Sequence, residues 1–449
     1  MVDSSLEMNG SASADAIARC TAGIDSYVRW RADAMGHLDA SIAAEGNYAL
    51  PRLVKGWMLN SSRDASFTDT IDAQINAVAS QSGNQPAMEA RERRLFVALK
   101  TSRAGDGIGA ATLLEQHLVE NPTDALAQQL IQNELFWMGR ADWMHDVAER
   151  SAPAWSDTTH AYSSFLSLRA FANEEAGDLA AAERFGRMAV EIDPEDTWGA
   201  HAVAHVLLMR GDIQPGIEWL EGLCQHWGHA NQLRHHLWWH LCLFLLEQGE
   251  YDKIKTLLTT EVRNPESALV QAAPAAGIDI QNFASLLLRL ELYGVNVSDQ
   301  WQVLETVCAE RVNNHGNAFC NIHDMMVLCA TGQFDLAAEM IMSMRERYHR
   351  QRGSVALAYQ AAGIPACEAI MAYYKRDYDT VLEKLSPVRH DLSLLGASHA
   401  QRDVLYHLLM HAARQQHRDD LQQILLRDIE RIGFCDVPER AAYKQAASK

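Results

Sequence analysis

The chain has 449 residues, 48 % apolar and 22 % charged, which is enough to bury a large core. Its net charge of −19, from 58 acidic and 39 basic residues, opposes the counterion release that nucleic-acid binding needs and the attraction to anionic lipid that a membrane surface offers. Length alone fits several domains or one long repeat array.

In chain order, residues 1–15 are rich in Ser and Ala and lack a basic start followed by an apolar run. They read as a loose tail and not as a signal peptide. Residues 16–90 read as an N-terminal helical region, with amphipathic helices over Ala16–Arg31 and Tyr48–Met58 and a helical run between them through His37 and Ala44. Ser61 to Gln85 is more polar and has room for a mobile connection. No apolar run approaches the ~20 residues of a membrane span. Eight scattered cysteines with no Cys-x-x-Cys pair predict reduced thiols in a cytoplasmic protein.

From Arg91 onward, over 91–449, a period emerges. Leu113 to Asp124 and Arg184 to Asp196 share one design, a helix ending in a short acidic turn that contains proline. Gly105, Gly139, Gly177, Gly211, Gly249 and Gly332 each end one helix a few residues before the next, with weaker copies at Gly294, at Lys375 to Asp379 and around Ala412 to Leu426. The steps Gly105 to Gly139 and Gly177 to Gly211 are 34 residues, the period of the tetratricopeptide repeat. Alternation of β-branched residues is nowhere sustained, so the predicted fold is all-α: an α-solenoid of tetratricopeptide-like helical hairpins, curled around a concave pocket lined by His and Trp.

Two stretches within the repeats carry chemistry. Asp196 to His205 places His201 and His205 four apart, and His235 to His240 does the same with His236 and His240. In a helix each pair shares one face. With the turn glycine as a register mark, both pairs and His323 fall on the first helix of their hairpins, the helix that lines the concave side in this class of repeat. Five imidazoles from three repeats are thereby expected on one wall. Such a group can ligate a divalent transition metal, with His201, His205, His236 and His240 as the ligand set, or act as acid and base near neutral pH through His201, His205, His240 and His323. The pairs lack the Glu of the His-Glu-x-x-His zinc protease motif. For any single histidine the plainer alternative is a hydrogen-bonded core residue.

Trp198, Trp238 and Trp239 flank the pairs, either as repeat packing or, for Trp198 and Trp239, as an aromatic wall for a flat ligand. Glu134 and Asp279 are further carboxylates for the same pocket. Asp324, beside His323, reads as solvated or capping. Arg402 heads a helix running through His407 and His411, where it either forks onto a ligand carboxylate or makes a structural ion pair. No Gly-x-Gly-x-x-Gly, Walker or Gly-x-Ser-x-Gly motif is present.

The sequence resembles the tetratricopeptide repeat protein 38 family over most of its length, from Tyr27-Val-Arg-Trp30 to the C-terminal helices. The resemblance rests on Asn121-Pro-Thr-Asp124 with Met138-Gly139, on Pro194 to Trp198 with His201 and His205, on His236-Leu-Trp-Trp-His240 with Gly249-Glu-Tyr-Asp252, and on Gly396 to Asp403. Two departures stand out: Phe319-Cys-Asn-Ile-His323 carries Asn321 where the family tends to Asp, and Asn282 also stands where Asp is common. The resemblance implies the fold and no particular activity. Three functional readings stay open: a groove that binds a small ligand or substrate, a hydrolase- or lyase-like enzyme using the histidines, and a protein-interaction scaffold. Inner positions offering His and Trp favour a small molecule over a peptide.

Overall fold

The computed structural model describes residues 12–80, 88–431 and 440–443. The described residues are all-α, with consecutive helices packed as neighbouring pairs and a single isolated bridge, Arg31 to Ala230. They form two compact units divided inside one helix: residues 1–202 with 226–231, and residues 203–225 with 232–449.

The first unit contains α1 (Ala14–Val28), α2 (Ala34–Ala44), α3 (Ala49–Ser61), α4 (Thr68–Ala79), α5 (Ala90–Arg103), α6 (Gly107–Glu120), α7 (Ala125–Trp137), α8 (Ala141–Ser151), α9 (Tyr162–Glu175) and α10 (Leu179–Ile192). The division falls in α11 (Thr197–Arg210). The second unit continues with α12 (Ile213–Leu223), α13 (Leu233–Gln248), α14 (Tyr251–Leu257), α15 (Ala268–Ala272), α16 (Gly277–Leu292), α17 (Gln302–Glu310) and α18 (Ala318–Ala330). It closes with α19 (Phe334–Tyr348), α20 (Ser354–Ala358), α21 (Ile364–Tyr374), α22 (Tyr378–Leu385), α23 (His399–Gln415) and α24 (Asp419–Arg431).

The turn glycines are where the repeat register puts them. Gly105, Gly139, Gly177, Gly211, Gly249, Gly294 and Gly332 all have φ between 65° and 91°, the left-handed conformation in which a Cβ is penalised. Arg376 and His417 adopt it in the last two hairpins. Acidic residues after such turns start the next helix: Asp106, Asp178 and Asp377 accept hydrogen bonds from Gly109, Ala181 and Thr380 amides, satisfying donors that a helix start leaves open.

Two stretches differ in the fold from what their composition suggests. The polar stretch Ser61–Gln85 contains α4, which buries Ile71, Ile75 and Val78. Those three share one narrow stripe, and the polar residues around them dilute its signal; residues 81–85 of the stretch lie outside the described residues. Ser354–Tyr374 is also long and apolar enough to cross a membrane, with mean hydropathy 1.3. Half of that window is buried within the protein, and α21 packs on α18 and α22, as a core helix does.

Close packing is tightest at Gly216 of α12, where a Cβ would meet the Phe244 ring of α13 at 2.2 Å. Gly216→Ala is therefore expected to destabilise the second unit by about 1–3 kcal/mol despite alanine's better helix propensity, because a ring buried between helices has no room to retreat. A urea titration followed by circular dichroism checks this, and an unchanged midpoint would contradict the close approach.

Candidate metal centre

The centre is built on α13. This helix is apolar on nearly every side, so almost its whole length is interior, and Gly249 ends it with φ of 75°. Three polar rungs lock its rotation against α16. His235 Nδ1–H donates to Asp279 Oδ1 at 2.9 Å, His236 Nδ1–H to Asn282 Oδ1 at 2.7 Å, and Trp239 Nε1–H to Ser285 Oγ at 3.1 Å. The α16 partners are spaced three apart, on one face of their helix.

Since a carbonyl oxygen only accepts, the Asn282 contact fixes His236 as the Nδ1–H tautomer, with Nε2 as the ring's acceptor nitrogen. His240 lies one turn on, its ring 4.7 Å from His236, and His205 of α11 brings its ring within 4.5 Å of His240. His205, His236 and His240 each offer a ring nitrogen, and these nitrogens lie within 4.8 Å of one another. Nitrogens about 2.0–2.1 Å from a tetrahedral ion stand about 3.3 Å apart, so the three would draw together to share one ion. Trp239 stacks on His236 at 4.9 Å and meets His240 edge-on, and the Arg289 guanidinium lies over the Trp239 ring. The wall behind the imidazoles is thus rigid and apolar.

Burial sets the charge state. It pushes the His236 pKa down to about 3, with His205 adding to the effect and the Asn282 hydrogen bond opposing it. A neutral imidazole is the form that ligates a metal.

His323 of α18 does not join the group. Its Nδ1–H donates to the Phe319 carbonyl at 2.8 Å, and the ring packs edge-on against Phe319. Burial lowers its pKa to about 4 from an ordinary 6.5. The unfolded chain therefore takes up a proton at His323 as pH falls below about 6.5 while the folded chain stays neutral until about 4. Stability held at neutral pH is lost across that window, at up to about 1.4 kcal/mol per pH unit from this group. Urea titrations between pH 7 and 4.5 should show a shallower pH slope for His323→Gln; an unaltered slope would contradict the assignment.

The remaining candidates are placed as follows. His201 precedes His205 by one turn on α11, with its ring 4.6 Å from Trp198 and 5.3 Å from Phe171. Trp198 stacks on Trp30 at 4.5 Å, which is packing within the first unit. Glu134 is also a first-unit core residue, where Arg63 and Ser102 donate to its Oε1 at 2.6 and 2.9 Å. Asp279 serves His235 as an orienting carboxylate. Arg402 donates to the Gly396 and Ala397 carbonyls in the loop before its own helix. Asp324, expected to be solvated or capping, is fully buried in an ion pair with Arg311.

Reading the sequence passed over the orienting roles of His235 and Asn282. The His235-His236 tandem at the head of an apolar helix was the available signal for the first. For Asn282 there was none beyond its departure from the family pattern. Comparison of the chain with models of known protein families finds no match.

Proposed function

We propose that the second unit binds a divalent transition metal ion through His205, His236 and His240, with His201 one turn ahead of His205 on the same helix, and that the ion marks a site for a small ligand. The observation carrying this is the gathering of three buried ring nitrogens from two helices, one of them held in its ligating tautomer by Asn282. An ion at three imidazoles with an open position would polarise a bound carbonyl or lower the pKa of a bound water. Trp239, stacked behind His236, supplies an apolar flank on which a ligand's flat face can rest. The seven described cysteines form no disulfide, which suits a reducing compartment such as the cytoplasm. The fold and these motifs resemble those of the tetratricopeptide repeat protein 38 family.

The test is titration of metal-stripped protein with cobalt(II), read by visible absorption. Saturation at one equivalent, with the intense bands of a four- or five-coordinate site, supports the reading. Featureless spectra and no retained cobalt after desalting would overturn it.

A further inference from the structure

In a four-residue turn near the C-terminus, Arg440–Tyr443, the first and last side chains are buried. Tyr443 is 0 % exposed and Arg440 6 %. Its directional contacts go to α13 and α23. Arg440 Nε donates to Glu247 Oε1 at 3.2 Å and its Nη2 stands 3.8 Å from Asp403 Oδ2. The Ala441 amide donates to Glu247 Oε2 at 2.8 Å, and Arg414 donates to the Ala442 carbonyl at 2.8 Å. The Tyr443 hydroxyl donates to Asp403 Oδ1 at 2.6 Å, while its ring meets His407 edge-on at 5.3 Å.

The receiving side is assembled without the turn. Glu247 sits on α13, whose place is set by its rungs to α16; Asp403, His407 and Arg414 sit on α23, which starts with a capping box at Ser398 and packs on α16. Asp403 is itself gripped by His407 at 2.9 Å. Burial opposes ionisation of Asp403, but His407, Arg440 and Arg289 outweigh it and hold its carboxyl well below the usual range. Two buried carboxylates facing one turn make a site for a guanidinium, and the second Asp403 oxygen makes it one for a phenol three residues later.

We propose that this surface is a receptor for a peptide bearing Arg-x-x-Tyr, and that Arg440–Tyr443 is its resident occupant, a latch that exchanges with the same sequence offered in trans. The turn differs from the rest of the core in how it is held. It is only four residues long, contributes one ring and one guanidinium, and is bound by carboxylates, an arginine and a histidine. Such contacts re-form equally well with a second molecule of the same chemistry. The latch also adjoins the histidine wall: Arg289, whose guanidinium lies over Trp239, is among the charges that act on Asp403. The proposal stands whether or not a metal binds.

To test it, a flexible insert with a site-specific protease sequence is placed after Arg431 in the full chain, and the folded protein is cut. A labelled synthetic peptide of residues 438–449 is then added in excess. The expected result is release of the cut segment and retention of the peptide on gel filtration, with uptake at least tenfold lower on uncut chain and for a peptide carrying Arg440→Ala and Tyr443→Ala. Receptor variants Glu247→Gln and Asp403→Asn, cut in the same way, should lose uptake. A dimer of uncut chain that the receptor variants dissolve would support the receptor with a second copy as occupant. Hydrogen exchange on the unmodified chain is the second measurement: the Tyr443 amide should exchange at least a hundredfold faster than central α23 amides. A cut segment that leaves only on unfolding, equal uptake of the alanine peptide, or Tyr443 exchange at the α23 rate would overturn the proposal.

Discussion

Affinity for zinc or cobalt(II) is expected to fall by about 10–100-fold in Asn282→Ala, a variant that leaves every proposed ligand in place. The Asn282 side-chain oxygen accepts from His236 Nδ1 at 2.7 Å, and both residues are buried. Without that acceptor, the His236 ring is free to rotate and to carry its proton on the ligating nitrogen. Asn282→Asp is expected to act in the opposite direction, since a carboxylate raises the basicity of the imidazole it orients. His240→Ala removes the ring that stands within 4.7 Å of both other imidazoles and is expected to abolish stoichiometric binding. Competition against a chromophoric chelator measures all three. Asn282→Ala binding as tightly as the parent would show that the His236–Asn282 rung is packing alone.

The second large effect is on stability. Asp324→Ala is expected to cost about 3–5 kcal/mol, because it removes the counter-charge of a buried guanidinium. Arg311 Nε donates to Asp324 at 3.1 and 3.4 Å, and both side chains are nearly inaccessible to water. Asn321 adds a long contact to the same carboxylate at 3.4 Å, but its Nδ2 also donates to the Asn314 carbonyl at 2.8 Å, so the cost falls on Arg311. Asp324→Asn keeps one acceptor for Arg311 and should cost clearly less. Urea unfolding followed by circular dichroism reads both, and a loss below about 1 kcal/mol for Asp324→Ala would mean that the guanidinium finds water or another acceptor.

The hairpin architecture was legible because its turns demand a residue type. A left-handed turn selects glycine, and seven glycines recur at related spacings, so the register could be read before any helix was assigned. The same register located the two histidine pairs. Register says which hairpin and which helix His323 occupies, but not that its Nδ1–H donates to the Phe319 carbonyl. Nor does a charged side chain such as Glu134, Asp324 or Arg402 announce in the sequence the partner it meets. Arg63 and Glu134 are 71 residues apart in the chain. The latch was illegible for the same reason: Arg440 meets Glu247 from 193 residues away, and four residues have no periodicity to detect. Asn282 looked like a missing carboxylate; in the fold its amide oxygen performs an acceptor's task for His236.

X-ray absorption at the zinc edge of protein loaded with one equivalent tests the metal centre most directly. Three or more nitrogen scatterers about 2.0–2.1 Å from the ion, with the multiple scattering that imidazole rings give and lost in His240→Ala, is the predicted result. A sulfur shell near 2.3 Å, or oxygen scatterers alone with no change in that variant, would place the ion elsewhere and contradict a histidine centre on α11 and α13.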